Sequence, residues 1–346
     1  MTERQTLSRS ASEMRWEVGA NISRRSEPVK SFALSLACAT VLLSSCAHYR
    51  CDPDYGGPTP RNQELLAYYD YPKENVEARV ERIAERRRYF IERVEFPSTK
   101  TIFGTEDIKL DYYVQKKEGK FPTVLVLPIA GGVDFSVTSF AGYFAARGFN
   151  CCIVHNREVN LDKVRSVEEL EGYFRQSVLD NRQVLDYLVR RDKVDANRLG
   201  CMGMSLGGIK TAMISAVDER IKYCVMGLAG GSIADIAVSS RERAIRDSIK
   251  AVVAEGISLE DAHAEMSEKI RTDPIKLAEY IDARNALMFI AAFDRVVPRQ
   301  TGEKLWKAVG KPEVIRLFSG HYTSFLYLPC AQAESLKFFR RKFRGG

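Results

Sequence analysis

Three features of this 346-residue sequence predict an α/β fold, a mostly parallel central sheet flanked by helices with a small helical cap inserted. From about residue 93 onward, short apolar runs alternate with longer segments of helical period, the pattern of parallel strands joined by right-handed crossovers. Some runs, such as Thr123–Leu127, are apolar throughout, as strands are when both faces are covered. The alternation breaks from about residue 235 to 283, where a charged helical stretch places Ile245, Ile249, Val252 and Val253 on one face. Lying between two sheet strands, this stretch is the expected cap.

The elements follow in order. Residues 73–91 carry Val76, Val80, Ile83 and Phe90 at helical spacing among many charges and predict an amphipathic helix on the domain surface. Residues 93–97 and 108–114 predict an antiparallel opening pair, and Thr123–Leu127 the next strand. A helix over 140–146 is expected to stop at Gly148. Strands are expected at 151–154, 198–204, 223–228, 286–293 and 314–318. Helices are expected at 167–190, 206–216 and 334–343.

The N-terminus reads as a targeting segment rather than as part of the fold. Arg24, Arg25 and Lys30 precede an uncharged apolar run from Phe32 to Leu43, too short to span a bilayer, which takes about 20 residues as a helix. Leu43-Ser44-Ser45-Cys46 then resembles a bacterial lipobox, which implies lipidation of Cys46 and export to the cell envelope, with the membrane as a partner. Two acyl chains make such an anchor stable where one does not. Residues 1–45 are therefore assigned to a signal of lipoprotein type. Residues 46–72, with Pro53, Gly56, Gly57, Pro58 and Pro60, are assigned to a flexible tether, and 73–346 to the domain with its cap. Ala47 suggests outer-membrane sorting where the source has two membranes. Residues 1–23 fit no part of a signal, and Val29 is a candidate for the true start.

Composition excludes several classes of function. Setting aside residues 1–45 removes six basic and four acidic side chains from totals of 52 and 45, which leaves a net charge of +5. That excess forms no basic block or aromatic-interleaved stripe, so nucleic acid is not an indicated partner. No phosphate loop or dinucleotide fingerprint is present, and no cofactor is expected. The four histidines show no metal-ligand spacing, so no metal is expected. Cys151, Cys152, Cys201 and Cys224 lie in apolar strand-like runs, where cysteine behaves as a small hydrophobe.

The chemistry is carried by Gly203-Met204-Ser205-Leu206-Gly207, a G-x-S-x-G sequence with a strand before it and a helix after it. A strand–turn–helix of this kind strains the backbone at the serine and lifts its hydroxyl above the sheet. Gly203 and Gly207 leave room for the turn. The helix beginning at Leu206 aims free N–H groups at the reacting centre, which makes the Leu206 N–H a candidate oxyanion donor. A serine needs a base, and His321 follows the last strand. An imidazole needs an acid to hold it, and Asp294 ends the strand before. The chain order Ser205, Asp294, His321 is that of α/β-hydrolases.

With these residues in place the stretch from about 93 to 343 resembles the α/β-hydrolase superfamily, and within it the branch of dienelactone hydrolases and acetyl xylan esterases. The resemblance rests on Val194-Asp195-Ala196-Asn197-Arg198-Leu199-Gly200 leading into Gly203–Gly208, on Asp294-Arg295-Val296-Val297-Pro298, and on Gly320-His321. It implies a small acyl substrate and attack by Ser205. The family often carries His-Gly after its third strand; here Pro128-Ile129-Ala130-Gly131-Gly132 stands instead, and either the Ile129 or the Ala130 N–H is the second oxyanion donor. Cleavage of a carboxylic ester is the leading expectation. The alternatives are a peptidase or amidase of the prolyl-oligopeptidase-like type, and a non-catalytic lipid-anchored binding protein on the same fold. The sequence does not set the oligomeric state.

Overall fold

The computed structural model describes residues 46–104, 107–157 and 166–344, all within one compact unit. The expected signal region and the alternative start at Val29 lie outside the described residues. No described helix is long and apolar enough to cross a membrane.

Among the described residues ten strands form one sheet: β1 (Cys46–Tyr49), β2 (Arg79–Glu85), β3 (Tyr89–Phe96), β4 (Ile108–Gln115), β5 (Phe121–Leu127), β6 (Asn150–Val154), β7 (Val194–Met204), β8 (Tyr223–Gly227), β9 (Ala286–Ala291) and β10 (Glu313–Leu317). Their spatial order is β1-β10-β9-β8-β7-β5-β6-β4-β3-β2. The six from β10 to β6 are parallel, and β4, β3 and β2 add antiparallel at one end and β1 at the other. The chain runs outward from β5 to β6, then crosses back to β7 on the other side of β5. The loops after β5 and β7 therefore diverge at a topological switch point, where open α/β sheets form their ligand crevice.

Helices cover both faces. On one, α2 (Phe135–Ala145) meets the C-terminal helix α10 (Leu328–Arg344) through Phe144, Phe149, Phe339 and Phe343, whose neighbouring rings lie 5.6–6.0 Å apart. On the other, α3 (Val167–Val189) packs beside α4 (Leu206–Val217), with α9 (Arg299–Ala308) further along the sheet. Every residue of α4 is buried. Its only charged side chain is Lys210.

Between β8 and β9 the chain leaves the sheet as α5 (Ile233–Ser239), α6 (Arg243–Ala254), α7 (Leu259–Lys269) and the short α8 (Pro274–Leu277). These helices occupy the expected cap. Its two ends are clasped by the buried Asp273 carboxylate, which accepts from the Ser232, Ile233 and Ile275 N–H groups at 2.7–2.9 Å.

Two expectations need correcting. Residues 73–91 are not a helix: they contribute β2 and the first residues of β3, paired as a hairpin. Strand β2 is a charged, largely exposed edge, a common protection against edge-to-edge association. A bulge between Arg82 and Ala84 shifts its alternation by one residue, so its apolar positions do not read as a period of two. Nor do residues 46–72 behave as a free tether. β1 pairs with β10 from Cys46↔Leu317 to Tyr49↔Val314. α1 (Gln63–Tyr68) is capped by Asn62 and followed by the buried Tyr69 and Tyr71. Tyr69 donates to Thr272 at 2.9 Å and Tyr71 to Asp186 at 2.7 Å. Arg61 donates to the Ala216 and Ser215 carbonyls at 2.7 and 3.0 Å, satisfying the otherwise open C-terminus of α4. The strap works because tyrosine buries a ring while keeping its hydroxyl paired.

Candidate active site

Ser205 sits between β7 and α4 at φ 55°, ψ −123°, a conformation that costs a non-glycine residue on the order of 1–3 kcal/mol. The surroundings hold it there. Its N–H donates to the Gly227 carbonyl at 2.8 Å, and its carbonyl accepts from the Ile209 N–H at 3.0 Å. A Cβ at Gly203 would overlap the Gly207 backbone, and one at Gly207 would overlap the Leu127 carbonyl. The glycines let β5, β7 and α4 close to backbone contact around the serine.

Asp294 follows β9 and His321 follows β10, both at the carboxyl edge of the sheet. His321 Nε2 lies 2.9 Å from Ser205 Oγ, and its Nδ1 lies 2.7 Å from Asp294 Oδ2. Asp294 is nearly inaccessible, and its other oxygen accepts from the Val296 and Val297 N–H groups at 2.9 and 3.0 Å. With all three contacts made, the carboxylate has little freedom to turn away from the imidazole.

All four histidines touch a carboxylate. His48 reaches Glu313 at 2.8 Å, and His263 reaches Asp235 at 2.7 Å. His155 stands 3.1 Å from Asp111, which also pairs with Arg93. Among them, His321 is the one shown with its second ring nitrogen on a serine hydroxyl. A carboxylate neighbour therefore does not distinguish His321 from the other histidines; the serine contact does.

The loop after β5 is held by two residues that sequence reasoning did not select. The Ile129 carbonyl accepts from the Gly132 N–H at 3.0 Å and from Asn156 Nδ2 at 2.8 Å. Asn156 in turn accepts at Oδ1 from Lys210 Nζ at 2.9 Å. Lys210 is buried, with its ammonium 4.5 Å from the centre of the Tyr173 ring. Because the C=O and N–H of a trans peptide point in opposite directions, holding the Ile129 carbonyl also fixes the Ala130 N–H. The signal for Lys210 was legible: one charge inside an otherwise uncharged helix starting at the elbow. Asn156 gave no signal of its own.

The cap reaches the same site. Tyr322, next to His321, donates to Glu242 at the start of α6. The Arg241 N–H donates to the Arg295 carbonyl at 2.7 Å, and Ser240 to the Val296 carbonyl at 2.6 Å. The cap entry is thus bonded to the loop that presents Asp294. Cys46 is half-buried at the start of β1, paired opposite Leu317 at the end of β10. Among the described residues no cluster of three or more His, Cys, Asp and Glu side chains has the arrangement of a metal site.

No family model matches the chain. YtaP of Bacillus subtilis (strain 168) is 42% identical over 48 residues, 14% of this chain and 16% of that protein. An uncharacterized protein of Mycobacterium tuberculosis is 23% identical over 157 residues, 44% of this chain and 35% of that protein. The matches thus span well under half the length of these relatives. Likeness in structure extends further. Acetyl xylan esterase 1 from Thermoanaerobacterium sp. JW/SL YS485 superposes with a TM-score of 0.62 at 17% identity, over 82% of this chain and 99% of that one. Acetyl xylan esterase from Paenibacillus sp. R4 gives 0.62 at 18% identity, over 78% and 92%. With its mostly parallel sheet, flanking helices and elbow between β7 and α4, the chain has the α/β-hydrolase fold.

Proposed function

We propose that the protein is a serine hydrolase that cleaves a carboxylic ester through an acyl-enzyme. The observation that carries this reading is the hydrogen-bonded chain Ser205–His321–Asp294 at the sheet's carboxyl edge, with the serine on a strained elbow. His321 Nε2 takes the Ser205 proton as Oγ attacks the acyl carbon, and Asp294 stabilises the imidazolium that forms. The Leu206 and Ala130 N–H groups receive the oxyanion, each donor contributing about 3 kcal/mol to the transition state. The imidazolium returns the proton to the departing alkoxide. Water then repeats the sequence, releasing a carboxylic acid and restoring the serine. The choice of an ester over an amide is supported by the esterases among the fold neighbours.

The same proposal places the protein in a bacterial envelope, anchored through acylated Cys46, on the strength of the Leu43–Cys46 pattern and the apolar run before it. Incorporation of labelled palmitate, lost in Cys46→Ser, tests the anchor. For the chemistry, a fluorophosphonate is expected to label the wild type on Ser205. The Ser205→Ala variant should lose both the label and ester turnover, the latter by roughly 10⁴-fold or more. An unlabelled wild type that turns over no ester would defeat the reading.

A further inference from the structure

Seven large apolar side chains among the described residues are more than half exposed, and six of them lie in the segments that leave the carboxyl ends of β5, β9 and β10, the edge that carries the candidate site. They are Phe135, Phe293, Phe318, Tyr322, Phe325 and Leu326, exposed from 51% at Phe325 to 69% at Phe135 and Tyr322. Each lies just past the carboxyl end of a strand. Phe135 follows the loop after β5, Phe293 adjoins Asp294, and Phe318 directly follows β10. Tyr322 adjoins His321, and Phe325 and Leu326 continue the same turn. Phe293 packs on Phe318 with ring centres 4.8 Å apart, and Phe135 approaches Phe325 at 6.2 Å. Even paired, these rings stay in water, although the buried aromatics of this molecule lie within its core. Exposed apolar side chains concentrated at one edge in this way mark an interaction site.

Where the rest of the chain attaches identifies the occupant. β1 runs antiparallel to β10, so Cys46, opposite Leu317, is the end of β1 at the carboxyl edge of the sheet. The preceding 45 residues, including the uncharged run Phe32–Leu43, therefore join the domain beside Phe318. Tyr49, the one other apolar side chain more than half exposed, lies at the opposite end of β1. From the position of this attachment and the composition of the collar, we infer that the face around Ser205 docks on a phospholipid surface and that the enzyme takes its ester from that surface. Phenylalanine and leucine insert into the boundary between headgroups and acyl chains, with tyrosine at headgroup level. The net charge of +5 beyond residue 45 favours an anionic leaflet. A sugar-binding platform is a poorer fit, because four of the six collar side chains are phenylalanine and one is leucine, with no polar atom to pair with hydroxyl groups.

The docking rests on the collar and the attachment of the chain; the choice of substrate rests on the serine-hydrolase reading as well. The test uses the full chain carrying Cys46→Ser, which removes any acyl anchor, and vesicles of phosphatidylethanolamine with phosphatidylglycerol. This chain is expected to float with the vesicles. Adding Phe318→Ser, Phe325→Ser and Leu326→Ser together should weaken flotation by about tenfold or more, while Tyr49→Ser should not. As a second measurement independent of that triple variant, Phe325→Trp should gain fluorescence that brominated lipid quenches beyond the quenching seen without the substitution. With a vesicle-borne long-chain ester and a water-soluble acetate ester as probes, the triple variant should lose turnover of the former by at least about tenfold more than the latter.

Flotation unchanged by the triple variant would overturn the docking. So would retention on acetylated xylan in place of vesicles, or a concentration-dependent dimer that shields the indole of the Phe325→Trp variant without lipid. Flotation as expected, from a wild type that neither reacts with fluorophosphonate nor turns over either ester, would leave the docking in place and remove the hydrolase reading with its substrate. Turnover of both esters without flotation would do the reverse.

Discussion

The nucleophile elbow and helix α6 of the cap are both helical regions beside the candidate site, and they are built in opposite ways. Helix α4, which starts just after Ser205, is buried along its whole length and closes to backbone contact with β5 through Gly207. Its C-terminus is clamped by Arg61. Helix α6 of the cap has no buried residue; Ile245, Ile249 and Val252 only rest partly buried against the core. The rest of the cap packs into the core through Ile233, Ile236, Met266 and Ile270, with Asp273 clasping its stem, while α6 is tied at its start to the loops of Asp294 and His321. A serine held in a strained conformation needs a frame that over-determines it. An exposed helix carries no such demand, and regions with few buried contacts open at lower free energy.

The most damaging change to this contrast should be Gly207→Ala. Its methyl group would overlap the Leu127 carbonyl, so backbone rather than a side chain must move. A loss of about 3 kcal/mol in unfolding free energy is expected from denaturant melts, together with loss of Ser205 labelling. An unchanged midpoint would show that the elbow is less constrained than the packing implies.

Next in size is Arg220→Met, below the elbow. Arg220 pairs with the buried Asp218 at 2.7 Å and with Asp186 at 2.5 Å. Burial would raise both carboxyl pKa values, but hydrogen bonds and the charge of Arg220, with Tyr71 also donating to Asp186, hold both below the ordinary range. A carboxylate whose folded pKa is depressed adds stability that is full above its unfolded pKa of about 3.9 and is lost as pH falls through the folded value. The variant should therefore be about 2 kcal/mol less stable at pH 7. That gap should narrow as pH drops below about 4. A gap constant from pH 7 to pH 3 would rule this linkage out.

Asn156→Asp separates positioning from folding. The new carboxylate still accepts from Lys210 but can no longer donate to the Ile129 carbonyl. The expected result is kcat down about tenfold, or about 1.4 kcal/mol, with KM nearly unchanged and the melting midpoint kept. Equal falls in kcat and stability would make Asn156 merely structural. The smallest effect is expected on the cap side: Val253→Asp, at an exposed position of α6, should change stability by no more than about 0.5 kcal/mol. A large loss there would mean α6 is as tightly built as the elbow.

Much of this arrangement was legible in the sequence because it is local. The elbow needs glycine at fixed offsets from Ser205, and buried parallel strands need uninterrupted apolar runs. Asp294 and His321 stood out because each closes such a run near the C-terminus. The edge strand β2 was misread because both its faces are wet and a bulge shifts its period, so no burial pattern marks it as a strand. The strap over residues 46–72 was misread because proline and glycine signal loops without saying what a loop lies against. Its order comes from Tyr69, Tyr71 and Arg61 meeting partners that are more than a hundred residues away.

Sequence alone determined the α/β alternation, the turn that presents Ser205 and the chain order of the three candidate catalytic residues, since each depends on neighbours within a few positions. Tertiary structure alone decided that Asn156 and Lys210 hold the Ile129 carbonyl, that His321 comes within hydrogen-bond distance of both Ser205 and Asp294, and that Cys46 emerges beside an aromatic collar. Each of these is a pairing between distant segments, made only when the sheet brings its strand ends to one edge.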